Sequence, residues 1–129
     1  MNKIIVEISI GELLDKISIL EIKKEKIKDP GKLKFITNEH LVLKKQLENN
    51  IKTDEKLYKL FQSLKEINSK LWNIEDDKRQ CEKEKDFGDK FIKLSRDVHF
   101  LNDDRANIKL EINNFTGSII KEIKQYTKY

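Results

Sequence analysis

Apolar residues recur at alternating intervals of three and four along almost the whole chain, and very little interrupts them. Such spacing lines one face of an α-helix, because 3.6 residues complete a turn. Leu57, Leu60, Leu64, Ile67, Leu71, Ile74, Lys78 and Cys81 keep a coiled-coil-like heptad register for about seven turns. Phe91, Leu94, Val98, Leu101, Arg105, Ile108, Ile112 and Phe115 form a second long stripe. One proline and four glycines in 129 residues leave few breaks, so the chain is restricted to a few long helices. Charged residues make up 39% and mean hydropathy is -0.69, values that approach those of disordered chains. The periodicity decides for a folded, highly charged helical domain.

Two shorter stripes come first. Ile10, Leu13, Leu14, Ile17 and Leu20 follow Ser9-Ile10-Gly11-Glu12, which has capping-box spacing: serine and glutamate each satisfy an orphan amide at a helix start. Asp29-Pro30 ends that helix and opens the next, with Asp29 as N-cap and Pro30 at the first helical position. Leu33, Ile36, His40, Leu43 and Leu47 carry the second helix to Asn49-Asn50. Thr53 or Asp54 caps the third, Asp86-Phe87-Gly88 breaks it from the fourth, and Gly117-Ser118 bends the chain into a tail.

The reading is all-α and a single domain, with helices over about residues 10–28, 30–49, 54–85 and 87–116, an arm over residues 3–9 and a tail over residues 117–129. Short connections favour antiparallel neighbours and hence an antiparallel four-helix bundle. The third and fourth helices, about 45 Å each at 1.5 Å per residue, outrun the first two and are expected to project as a hairpin. Lys3 to Ser9, rich in Ile and Val, reads as a short strand or extended arm that needs a partner, either the tail or a second subunit.

Several function classes fall away on composition. Net charge is +4 against 50 charged side chains, and the lysines between Lys23 and Lys34 are broken by Glu25 and Asp29, which is a solvated face rather than a nucleic-acid surface. No apolar run is long enough for a membrane span, and Lys3 to Ile10 is too short for a signal peptide. The expectation is a cytoplasmic protein. The lone Cys81 permits neither an internal disulfide nor a cysteine metal cluster, and its place on a stripe reads as a buried thiol. All four glycines are isolated, so no phosphate-binding loop exists. Neither His40 nor His99 has a glutamate three residues before it, as a di-metal bundle site would require. A carboxylate-only magnesium site from Glu12, Asp15, Glu75 and Asp76 would resemble all-α nucleotide pyrophosphohydrolases, but interleaved basic residues suit ion pairing better. No cofactor and no metal are assigned.

Arginine marks the informative part. Only three of 27 basic residues are arginine, namely Arg79, Arg96 and Arg105, and only a guanidinium offers a planar fork for bidentate contacts. Arg105 interrupts a stripe, with Asn102 and Lys109 a turn away. Counting along the helices places Arg105 level with Glu21, His40 and Asn68, a polar layer inside the bundle. Glu75, Asp76 and Asp77 are expected to face Arg96 across the hairpin, and Glu75 to pair with Arg79. Glu12, Asp15 and Lys16 are expected near Asn113 to Ser118. Trp72 reads as core or interface packing, with ligand stacking as the functional alternative.

Two readings of these residues stand. In one they are ion pairs that fix helix register. In the other, Glu12, Asp15, Lys16, Glu21, Trp72, Glu75, Asp76, Arg79, Arg96, Asn102, Asp103, Arg105 and Lys109 line a pocket for a small anionic or sugar-related ligand. A third view makes the chain an interaction module that docks on a partner protein or on a second copy of itself.

Three segments carry a resemblance. They are Gly11-Glu12-Leu13-Leu14-Asp15-Lys16 through Lys23, Leu71-Trp72-Asn73-Ile74-Glu75-Asp76-Asp77-Lys78-Arg79, and Asp86-Phe87-Gly88 through Leu101-Asn102-Asp103-Asp104-Arg105-Ala106-Asn107-Ile108-Lys109 to Asn113, joined by the tail from Gly117-Ser118 to Tyr126. With these the chain resembles a small bacterial family of uncharacterised proteins, a domain of unknown function, over nearly its whole length. Family members tend to be encoded near glycosyltransferases and other surface-polysaccharide enzymes, which implies sugar or nucleotide-sugar metabolism by association. The chain departs from the family pattern at His40, where an apolar residue is expected, and at His99, where a tyrosine is expected; both departures put a catalytic histidine in doubt. A weaker likeness is to all-α chorismate mutases, which implies dicarboxylate-holding roles for Arg96, Arg105 and Lys109.

Overall fold

A computed structural model describes residues 2–129. Four helices follow one another: α1 Ile10–Lys26, α2 Pro30–Asn50, α3 Glu55–Glu84 and α4 Asp89–Thr116. The first three helix starts carry the side-chain caps that the sequence predicts, although the Glu12 carboxylate, expected to complete a capping box with Ser9, binds Lys109 instead. The Ser9 hydroxyl accepts from the Glu12 amide at 3.0 Å, the Asp29 carboxylate from the Lys32 amide at 2.8 Å, and the Asp54 carboxylate from the Leu57 amide at 2.8 Å. Each side chain thereby satisfies one of the donors that a helix start leaves open. At the other end of α4, Gly117 takes the left-handed conformation (φ 69°) and its amide bonds back to Asn113, the geometry in which glycine stops a helix without strain. The same conformation falls to Lys85 after α3, at φ 57°.

The core is one cluster of Leu14 and Ile17 from α1, Leu47 from α2, Leu57 and Leu64 from α3 and Ile112 from α4. Burying each such side chain contributes about 1.5–3 kcal/mol. Helix α1 is central: its Cα trace comes within 8 Å of all three other helices, whereas α2 comes that close to α1 alone. Hydrogen bonds show that α1 and α4 run antiparallel, since Gly11 meets Asn113 and Asp15 meets Arg105. The α3/α4 hairpin outruns α1, which has 17 residues against 30 in α3. Between residues 69 and 108 Cys81 is the only fully buried position, so the thiol is inert packing, as its stripe position predicts.

The expected N-terminal strand is not formed. Residues 2–8 form neither helix nor strand and pair with nothing, and one of the partners foreseen for them, the tail, is held elsewhere. Residues 118–129 fold back along α4. Lys109 binds Glu122 at 2.8 Å, the Tyr129 hydroxyl donates to Asp103, and the Tyr129 ring packs edge-on at 5.3 Å against both His99 and Phe100. Among the described residues no helix is long and apolar enough to cross a membrane.

Candidate functional site

The site is assembled where α1 and α4 come closest. A Cβ on Gly11 would stand 2.6 Å from the Lys109 carbonyl oxygen and 2.9 Å from Asn113 Oδ1, so only glycine lets the two backbones approach this far. In the space a side chain would have taken, the Gly11 amide donates to Asn113 Oδ1 at 2.7 Å, and the Ile10 amide to Ser118 Oγ at 3.2 Å. This contact fixes the register of α1 on α4 and thereby brings Asp15 level with Arg105.

Asp15 is almost fully buried, with 3% of its side chain exposed. Arg105 holds it with two bonds, Nε to Oδ1 at 3.0 Å and Nη2 to Oδ2 at 2.5 Å. Asn68 Nδ2 donates to the same Oδ1 at 2.8 Å and to Ser18 Oγ at 2.8 Å, and the Ser18 hydroxyl donates to the Asp15 carbonyl oxygen at 2.7 Å. Burial pushes the Asp15 carboxyl upward, but the hydrogen bonds from Arg105 and Asn68 and the charges of Arg105 and Lys109 outweigh it and hold the group below the ordinary carboxylate value. The same Asp15 bonds raise Arg105, against the opposing effect of burial. Lys109 lies one turn further along α4, 2.7 Å from Glu12 and 2.8 Å from Glu122. Burial works to lower it, and the two carboxylate bonds with the Asp15 and Glu12 charges raise it.

The predicted polar layer therefore exists but is divided. Arg105 and Asn68 meet on Asp15, not on Glu21. Glu21 sits six residues on, about 9 Å along the helix, and joins a separate group with His40 at 3.3 Å and Lys65 at 3.3 Å, where Lys65 also binds Glu25 at 2.9 Å. Counting residues from turns gives a helix's own phase but not how far one helix slides on another. Gly11 sets that slide, and an isolated glycine in a helical pattern is the signal that could have located it. Asn113 and Ser118 lie beside the start of α1 as expected, whereas Ser18, Lys65 and Glu122 are the members that sequence reasoning missed.

The other predicted residues go to different places. Trp72, Glu75, Asp76, Arg79 and Arg105 line one open groove of about 410 Å³, with Ile19 and Ile22 of α1 and Asn68 and Leu71 of α3 completing its walls. The expected pairs across the hairpin are absent: among the described residues neither Arg79 nor Arg96 has a carboxylate within 4.0 Å. Both side chains are exposed on the long helices, where nothing repays the cost of fixing a side chain. Arg96 instead lies 6.0 Å from the Phe100 ring on its own helix. Lys16 is an exposed partner of Glu12 at 3.7 Å. Asn102 and Asp103 face the tail near Tyr126 and Tyr129.

Two chemical options lose their residues in this arrangement. The cradle of Arg96, Arg105 and Lys109 suggested by chorismate mutases is not assembled, since of the three only Arg105 lines the groove and Lys109 is held by Glu12 and Glu122. The four acids considered for magnesium divide between the Asp15 cluster and the groove, and among the described residues no three His, Cys, Asp or Glu side chains converge as a metal site.

The chain matches a model described as a family of unknown function (DUF6165) over residues 4–129. No curated protein and no solved structure matches the chain.

Proposed function

The chain belongs to that family of unknown function, and we propose that its groove between α1 and α3 binds a small sugar-related ligand bearing an anionic group. The observation that carries this reading is the company kept by Trp72. An indole face, two carboxylates and two guanidinium groups share one open groove with an aliphatic floor. Aromatic faces pack against the C–H side of a sugar ring, carboxylates accept from its hydroxyls, and guanidinium donors hold a phosphate or uronate. Among the described residues Arg79 has no carboxylate partner to displace. Arg105 spends Nε and Nη2 on Asp15, which leaves its remaining nitrogen to donate. The buried Asp15 cluster then acts as the rigid backing that aims Arg105, as binding sites require of their second layer. The association with surface-polysaccharide enzymes implied by the family resemblance agrees with such a ligand, and a role in cell-envelope glycan metabolism in the cytoplasm is the wider setting proposed.

Trp72 is the only tryptophan, so its fluorescence reports the groove directly. Titration with glucose 1-phosphate, glucuronate, UDP-N-acetylglucosamine and inorganic phosphate is expected to give a saturable change for at least one sugar compound. Arg79→Ala, an exposed and unpaired position, is expected to weaken it by about tenfold, the loss of one charge-assisted hydrogen bond, without lowering thermal stability. No change in Trp72 emission and no thermal shift with any of the four would overturn the reading.

A further inference from the structure

The arm that precedes α1 is the least satisfied part of the molecule. Ile4, Ile5 and Val6 are 87%, 88% and 67% exposed, among the described residues Lys3 and Glu7 make no ion pair within 4.0 Å, and the backbone of residues 2–8 pairs with nothing. A β-branched segment outside any helix, with open amides and carbonyls, is a template for another strand. Its sequence says which strand. Lys3-Ile4-Ile5-Val6-Glu7 places opposite charges at equal distances on either side of Ile5.

We propose that the arm pairs antiparallel with the arm of a second copy of this chain, with the two-fold axis through Ile5, so that Lys3 of each copy faces Glu7 of the other. Geometry leaves no other register that pairs these charges. A parallel, in-register ribbon would set Lys3 on Lys3 and Glu7 on Glu7, and like charges directly opposite one another destabilise. Antiparallel slips of two residues in either direction set one charge opposite Ile5 and leave the other without an oppositely charged partner. In the matched register Ile4 faces Val6 and Ile5 faces itself. Because side chains alternate across a strand, Ile4, Val6 and Ile8 of both copies share one apolar face, and the Lys3–Glu7 pairs flank Ile5 on the other.

The length of the arm sets the two folded bodies apart. Each arm leaves its body at Ser9, four residues from the axis, so the two roots stand about 27 Å apart at 3.4 Å per residue. That separation exceeds the diameter of the helices rooted there, about 10–12 Å. At each root the tail also departs, through the Ile10 to Ser118 bond, and Ile119 is 99% exposed, which adds apolar surface beside the ribbon. A two-stranded ribbon is marginal alone, so the dimer is expected to be weak and concentration-dependent.

The test is disulfide trapping in the full chain. Opposed Cβ atoms in an antiparallel pair are roughly 4.5–5.5 Å apart, against roughly 7–8 Å for diagonal neighbours, and only the former are within bridging reach. Ile5→Cys is expected to form covalent dimers under mild oxidation, quenched by alkylation before denaturation, whereas Ile4→Cys, which faces Val6, is expected to stay monomeric. In the Ile5→Cys background, Lys3→Glu alone or Glu7→Lys alone is expected to slow trapping by about tenfold. Mixing the two variants is expected to recover it, since one chain is then acidic and the other basic at both positions, and every facing pair across the ribbon again joins opposite charges. Every substituted position is solvent-exposed and outside the core, so loss of folding does not interfere. Equal trapping at positions 4 and 5, no trapping at either, or no recovery on mixing would each overturn the proposal.

Discussion

Two regions of this molecule use the same residue types in opposite ways. At the root of α1, Asp15 and Arg105 are bound by two direct bonds and backed by Asn68, Ser18 and Lys109, with the Asp15 carboxylate closed to water. Near the hairpin, Glu75, Asp76, Arg79 and Arg96 carry as much charge and form no ion pair among the described residues. The difference comes from the third helix. At the root α1 lies against both α3 and α4 and excludes water, so an unpaired charge there would cost several kcal/mol and pairing is enforced. Towards the hairpin these four side chains are exposed, α1 contributing no more than one wall of an open groove, and a surface pair is worth at most about 1 kcal/mol. Charge placement is enforced by burial at one end and left to solvent at the other.

The largest expected effect breaks the root. Asp15→Ala leaves Arg105 and the Asn68 amide without their acceptor, and urea unfolding is expected to show a loss of about 3 kcal/mol, the low end for a broken buried pair because 29% of the Arg105 side chain is exposed. Arg79→Ala and Arg96→Ala are expected to stay within about 0.5 kcal/mol of the parent, as surface changes do. A loss from Arg96→Ala as large as that from Asp15→Ala would erase the contrast between the regions. The root also predicts an acid limb. A carboxyl held below its ordinary value contributes its stability in full above that value, 3.8 for Asp15, and loses it as pH falls through the lower, folded value. Stability should therefore decline below about pH 4 in the parent, and more gently in Asp15→Ala. Lys109 acts with the opposite sign: its raised value adds stability below the ordinary 10.5 that is lost only as pH rises beyond it.

Gly11→Ala tests what holds the root in register. The new methyl would meet the Lys109 carbonyl, a backbone atom that cannot rotate away, so α1 must shift outward and strain the Gly11–Asn113 bond. Overpacking of this kind is expected to cost about 2 kcal/mol, although alanine is otherwise the better helix former. If Gly11→Ala were neutral or stabilising by the same unfolding measurement, the close approach would not be what sets Asp15 opposite Arg105.

The two regions also differ in how far the sequence discloses them. Helix ends were legible because their determinants are local: Ser9, Asp29 and Asp54 cap where the pattern places them, within two or three residues of every boundary. That Arg105 needs a buried carboxylate was legible too, since a guanidinium on an apolar stripe has few alternatives. Which carboxylate it finds was not. Glu21 and Asp15 both lie on α1, and the choice rests on a slide of six residues set by backbone contact at Gly11, a distance that periodicity does not encode. The hairpin pairs failed for a different reason. Proximity across a turn makes Arg96 and Asp76 neighbours without giving either a reason to hold still. The groove residues come from the expected helix faces, but their grouping around Trp72, apart from Glu12 and Lys109, required the fold.

The smallest expected effect lies between the regions, at the tail. Glu122 caps Lys109 from outside, and that hydrogen bond, ahead of the opposing effect of its modest burial, holds the Glu122 carboxyl below the ordinary value. It is nevertheless 41% exposed, so its pairing is screened, and Lys109 keeps Glu12 and Asp15 if Glu122 is lost. Glu122→Gln is therefore expected to lower global stability by less than about 1 kcal/mol while releasing the tail from α4. Hydrogen exchange distinguishes these outcomes, because local opening speeds exchange without changing the global unfolding free energy. The amides of residues 119–129 are expected to exchange faster in the variant and those of α1 at the parent rate. Faster exchange along α1 would mean that the tail is part of the root, and the boundary between structural and free charge would then run outside Glu122 instead of at Lys109.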